Sequence, residues 1–140
     1  MKRYMKLADG LVKEGVLKHR PGFGFYAREE LKELIREAYL YIHCAWVEVE
    51  GLSCVEAIME GTVPVIAKGK FTATHQFALD ERSLFTESDS RMLAEKIDWW
   101  IEHPGERNEM AAKYAESAKK YNADDSTDKI IQMYKDAIKK

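Results

Sequence analysis

Two carboxylates stand eight residues apart in Glu48-Val49-Glu50-Gly51-Leu52-Ser53-Cys54-Val55-Glu56, on either side of a Gly-Leu step where a loop turns into a helix. That arrangement suits the clamping of a polyol phosphate. Amides at a helix N-terminus hold phosphate oxygens, glycine lets the backbone come close, and carboxylates accept hydrogen bonds from sugar hydroxyls. A nucleotide sugar carries all of these groups. Two glutamates near a helix start also favour its dipole without any ligand, so the pair alone does not decide between a site and a solvated turn. His43, five residues before Glu48, ends a strand and is either a ligand contact or a hydrogen-bonded structural residue. Glu50 lies between the two carboxylates. A like charge 4 Å from a diphosphate costs about 1 kcal/mol in bulk water and more in a dry cleft, so Glu50 is expected to face solvent.

The flanking residues must position this segment. Leu40-Tyr41-Ile42-His43 reads as a short buried strand. Val55, Ala57, Ile58 and Met59 continue a helix that Glu60-Gly61 closes, and Pro64-Val65-Ile66-Ala67 is the next strand. The unit is β-α-β, which puts Gly51 and Ser53 at the carboxyl end of a parallel strand, where open α/β sheets take their ligands. Leu52 and Ile66 are expected between sheet and helix.

Elsewhere, residues 3–14 alternate as a helix ended by Gly15, with Leu7, Leu11 and Val12 on one side and Lys2, Arg3 and Lys6 on its surface. A short strand interrupted by Pro and Gly is expected over 17–25, then a helix from Ala27 to Glu37 with Leu31, Leu34, Ile35 and Ala38 at helical spacing. Strands at 39–44, 63–67 and 83–86 would complete a parallel sheet of about four strands. Ser90 reads as an N-cap, with Leu93, Ile97, Trp100 and Ile101 as the buried stripe of the helix behind it, and Trp99 half-exposed beside it. Pro104 starts another helix. The Asp124-Asp125-Ser126 turn caps the last one, whose buried face would be Ile131, Tyr134 and Ile138.

At this point the chain resembles the C-terminal, donor-binding domain of retaining GT-B glycosyltransferases of the family-4 type, over roughly residues 3–138. That family's ordered pattern falls here on His43, Glu48, Gly51-Leu52, Glu56, Ala57, Gly61 and Val63-Pro64-Val65-Ile66. Gly24-Phe25 followed by Arg28-Glu29-Glu30-Leu31 is similar to the stretch upstream of it, and Leu93-Ala94 through Pro104 to its downstream helix. The resemblance implies a three-layer α/β/α Rossmann-like fold with a short parallel sheet, the C-terminal half of a GT-B fold, as one partial domain over residues 1–140. It assigns Glu48 to the donor sugar and Glu56 to the ribose of a UDP- or GDP-linked donor, and it makes His43 a catalytic candidate that contacts either the donor sugar or its phosphate. The Gly51, Leu52 and Ser53 amides go to the diphosphate and Gly24 and Phe25 to donor binding, while Gly22-Phe23-Gly24 reads as a backbone turn beside the base. It implies no metal and no other cofactor. The sequence departs from the family at Val49 and Glu50, where many relatives carry Gly and an aromatic residue, and over Thr72–Glu81, where a Gly-Gly pair and a Pro-Glu dipeptide are common.

By the same resemblance an N-terminal acceptor-binding domain is missing, so the chain is expected to be inactive in isolation; a homo-oligomer is another way to complete it. The other function class left open is a non-catalytic nucleotide-binding or interaction module on the same fold. With 22 basic and 24 acidic residues and a net charge of −2, nothing points to nucleic acid. His19, His75 and His103 lack ligand spacing. Cys44 and Cys54 read as small buried thiols of a reducing, cytoplasmic compartment. No apolar run approaches the roughly 18 residues of a membrane span, although the full-length protein could sit peripherally on a membrane.

Overall fold

A computed structural model describes residues 1–139, and the chain divides into two compact units, Met1–Leu31 and a second that begins at Lys32. In the first, helix α1 spans Lys2–Lys13 and ends at Glu14, followed by Gly15 with a φ of 74°. Lys2, Arg3 and Lys6 are exposed, as expected, while the buried residue of α1 is Ala8 and Leu7 is exposed. Arg20 and Asp9 form an exposed ion pair. The expected strand over 17–25 is absent and these residues are irregular. A strand exists only through hydrogen bonds to a neighbour, and nothing among the described residues pairs with this segment. Helix α2, Arg28–Glu37, begins in this unit and runs into the second; none of its residues is buried.

The second unit is a three-layer α/β/α-like fold on a short parallel sheet. Its strands are β1 (Tyr41–His43), β2 (Pro64–Lys68) and β3 (Leu84–Thr86), in the order β1-β2-β3. The register pairs Ile42 with Val65 and Ile66 with Leu84. Among the described residues the sheet has three strands rather than about four, the stretch at 17–25 not joining it. Strand β2 is covered on both faces, and its Pro64-Val65-Ile66-Ala67 run is buried throughout, which is why it reads as a continuous apolar stretch. Helix α3 (Leu52–Met59) buries Cys54, Val55, Ala57 and Ile58. Leu52 is 65% exposed: it lies two residues before Cys54, some 200° around the helix at about 100° per residue. Ile66 is fully buried, as expected.

Helix α4 (Ser90–Glu102) is capped by Asp89, whose carboxylate accepts the Met92 amide at 2.9 Å; Ser90 is the first helical residue. Trp100 is fully buried, Leu93 and Ile97 are half-buried, and Ile101 is exposed. Trp99 is half-buried against the core and edge-on to Trp100. Helix α5 (Pro104–Ala118) starts at its proline and buries Met110, Tyr114 and Ala118. Helix α6 (Ala123–Ile138) is capped by Asn122, which accepts the Asp124 amide at 2.9 Å, and not by Asp124-Asp125-Ser126. Its expected buried face is exposed at Ile131, Tyr134 and Ile138. Cys54 is fully buried, and burial pushes its thiol up to about 12. Cys44 is exposed, because side chains alternate along an extended chain and its neighbour His43 points inward.

Candidate functional site

The loop leaving β1 does not wander. At Glu48 it forms a parallel bridge with Thr72: the Glu48 amide donates to the Phe71 carbonyl at 3.0 Å, and the Ala73 amide donates to the Glu48 carbonyl at 2.9 Å. The Glu48 side chain then turns forward. Its Oε1 accepts the amides of Val49 at 3.0 Å, Glu50 at 3.3 Å and Gly51 at 3.1 Å. These bonds, led by those from Gly51 and Glu50, hold the Glu48 carboxyl below its ordinary pKa. Glu48 is thus fixed as an anion at the mouth of α3, and Glu50 is exposed, as expected.

Gly51 makes the turn into the helix. It is the N-cap of α3, with φ 66° and ψ 38°, and it is buried. A side chain there would meet Thr74 and Phe77, so the position requires glycine for both conformation and space. Buried Thr74 shares a 2.6 Å hydrogen bond with the Thr72 hydroxyl, and His75 Nδ1 lies 2.8 Å from the Thr72 carbonyl. The 72–77 segment, including a 3-10 turn at Thr74–Phe77, is therefore the wall against which Gly51 packs.

Behind the helix start, Tyr41, His43 and Ser53 form one chain of hydrogen bonds. The Tyr41 hydroxyl donates to Ser53 Oγ at 2.9 Å and lies 3.2 Å from His43 Nδ1. His43 is 6% exposed, and its Nε2 is buried without a hydrogen-bond partner among the described residues. Burial lowers the His43 pKa, against a smaller upward pull from the Glu48 charge. Burial raises that of Tyr41; the Ser53 hydrogen bond opposes this, and the charges of Cys54, Glu48 and Glu56 add to it. Both carboxylates of the sequence motif therefore act on one hydroxyl.

The structure brings His43, Glu48, Gly51, Ser53 and Glu56 together around the start of α3, with Leu52, Ser53 and Glu56 exposed there. The Gly51 amide is engaged by Glu48, while the helix start leaves the first amides of α3 without intrahelical partners. Gly24 and Phe25 belong to the first unit, in an irregular stretch with Phe25 95% exposed. Sequence reasoning missed Tyr41, Thr72 and Thr74. For Tyr41 the signal was present: two residues before His43 on a strand, it shares that residue's face. Among the described residues no three His, Cys, Asp or Glu side chains converge as metal ligands, and no helix is long and apolar enough to cross a membrane.

A short parallel sheet with a glycine-capped helix at the carboxyl end of its first strand, and carboxylates flanking that cap, defines a glycosyltransferase domain of the GT-B fold. Residues 11–121 match the family described as Glycosyl transferases group 1, and the chain belongs to that family. Among solved structures it is similar to the catalytic domain of cholesterol-alpha-glucosyltransferase from Helicobacter pylori, at 45% identity and a TM-score of 0.77, over 86% of this chain and 72% of that one. None of the curated proteins compared with the chain matches it.

Proposed function

We propose that the chain is the donor-binding part of a retaining, family-4-type glycosyltransferase that moves a hexose from a UDP- or GDP-linked sugar to an acceptor hydroxyl. The observation that carries this is the Glu48 carboxylate locked by three successive amides beside the Gly51 cap. An anion so held can position sugar hydroxyls without attacking them. Glu56, exposed one turn into α3, binds the ribose, and the Leu52 and Ser53 amides meet the diphosphate at the positive end of the helix. In the reaction those dipoles stabilise charge on the departing diphosphate, whose oxygen takes the proton of the incoming hydroxyl on the same face of the sugar.

The similar Helicobacter protein supports the retaining course, since an α-glucoside made from an α-linked nucleotide glucose keeps its anomeric configuration. It also makes glucose the first donor sugar to test. A second, acceptor-binding domain completes the enzyme, so this chain by itself binds donor without transferring it, and it works in the cytoplasm without a metal. Calorimetric titration with a panel of UDP- and GDP-sugars tests the reading. Saturable binding of one nucleotide class is expected, whereas flat isotherms across the panel would favour a non-catalytic module on the same fold.

A further inference from the structure

The three-residue relay at the end of β1 has a direction. A tyrosine hydroxyl has one proton, and Tyr41 gives it to Ser53 Oγ at 2.9 Å. Toward His43 Nδ1, 3.2 Å away, the same oxygen can then only accept. Nδ1 must therefore carry the imidazole proton, and in a neutral ring that leaves Nε2 with a lone pair. The rings of Tyr41 and His43 stack at 28° with centroids 6.0 Å apart, which holds the imidazole in this orientation. Nε2 itself is buried and lacks a protein partner among the described residues. Buried polar atoms are rarely left so, and this one sits at the end of a strand where α/β sheets receive ligands.

We infer that Tyr41 is a positioning residue: held between His43 Nδ1 and Ser53 Oγ, its hydroxyl fixes His43 as the Nδ1–H tautomer, so that Nε2 accepts from a sugar hydroxyl and cannot donate to a phosphate oxygen. The choice of ligand group rests on the proposed function; the tautomer does not. Nε2 is closed to solvent in the chain as it stands, so the contact forms only where the ligand opens a path to it. The relay then reads the sugar, while the amides of α3 read the diphosphate.

Long-range ¹H–¹⁵N correlation spectra of the full chain with labelled histidine read the tautomer directly, with His43→Asn assigning the signal. The wild type should show a protonated Nδ1 and an unprotonated Nε2. Tyr41→Phe removes the acceptor and should shift His43 toward Nε2–H. Ser53→Ala, at an exposed position that leaves the fold intact, frees the Tyr41 proton to point at Nδ1 and should produce a mixture. An Nε2–H ring in the wild type, or an unchanged spectrum in both variants, overturns the inference. For the ligand, affinities for UDP-glucose and UDP, and for GDP-mannose and GDP, are compared. Tyr41→Phe should weaken the nucleotide sugar about tenfold, the scale of one hydrogen bond, and the bare nucleotide less than twofold. Equal losses for sugar and bare nucleotide would place His43 on the phosphate and overturn the ligand assignment. If the wild type binds neither, the proposed function fails while the spectra still decide the tautomer.

Discussion

Thr74 Cγ2 occupies the space that a side chain on Gly51 would need: a Cβ at Gly51 would lie 2.1 Å from it. Thr74 is fully buried and tied to Thr72, so it cannot swing aside. Gly51→Ala meets both this overlap and a left-handed backbone, and should destabilise the chain by at least about 2 kcal/mol, from overpacking and the αL penalty together. Urea unfolding measures it. A loss within about 0.5 kcal/mol, the usual surface effect, would mean that the 72–77 wall does not pack on the helix start.

Ile66 and Leu52 separate core from surface within one β-α-β unit. Ile66 is fully buried within the Pro64–Ala67 run of β2, so Ile66→Ala should cost about 2–5 kcal/mol of unfolding free energy. Leu52→Ala, at 65% exposure, should stay within about 0.5 kcal/mol. Equal costs would contradict the placement of Leu52.

Two groups of the site make stability depend on pH. The folded chain holds the pKa of His43 low, so the unfolded chain takes up a proton first. Its contribution is complete above about pH 6.5 and is lost as pH falls through the folded value. The Glu48 carboxyl is also held low, so its contribution is complete above about pH 4.3 and is lost as pH falls through its folded value. Unfolding followed across pH should show the upper loss vanish in His43→Asn and the lower one shrink in Glu48→Gln. Curves that superimpose on the wild type would deny these groups their bonded or buried surroundings.

Most of the β-α-β unit was legible from the sequence, because the clues were local. The run Pro64-Val65-Ile66-Ala67 is a strand buried on both faces, and Gly51 marks the cap because no other residue fits there. What was not legible depended on partners distant in sequence. Residues 17–25, interrupted by Pro21, Gly22 and Gly24, have no strand to pair with among the described residues, and α6 has an apolar stripe at Ile131, Tyr134 and Ile138 that stays exposed. In the site, the carboxylates and the histidine could be named from their spacing. The role of Glu48 as acceptor for three amides could not, since it depends on a loop geometry fixed by Thr72 on another segment.

The chain alone should bind donor yet fail to transfer sugar. Holding an acceptor hydroxyl in line with the anomeric carbon is worth about 7–11 kcal/mol of the barrier, and the proposed reading assigns that task to a second domain. Incubation with labelled UDP- and GDP-sugars and an acceptor library, a sterol included, should give no product. Turnover at an ordinary rate of about 1–10³ per second would show that this chain, or a homo-oligomer of it, completes the site.

The central claim, that the start of α3 holds a nucleotide sugar, is tested most directly by the affinity of the wild type and of Glu56→Ala for the best-binding nucleotide sugar, measured by calorimetry. Glu56 is exposed and takes no part in the core, so stability should hardly change. Loss of its charge-assisted hydrogen bonds to the ribose should weaken binding by about 1–3 kcal/mol. An affinity unchanged by the substitution, in a wild type that binds, would contradict the account.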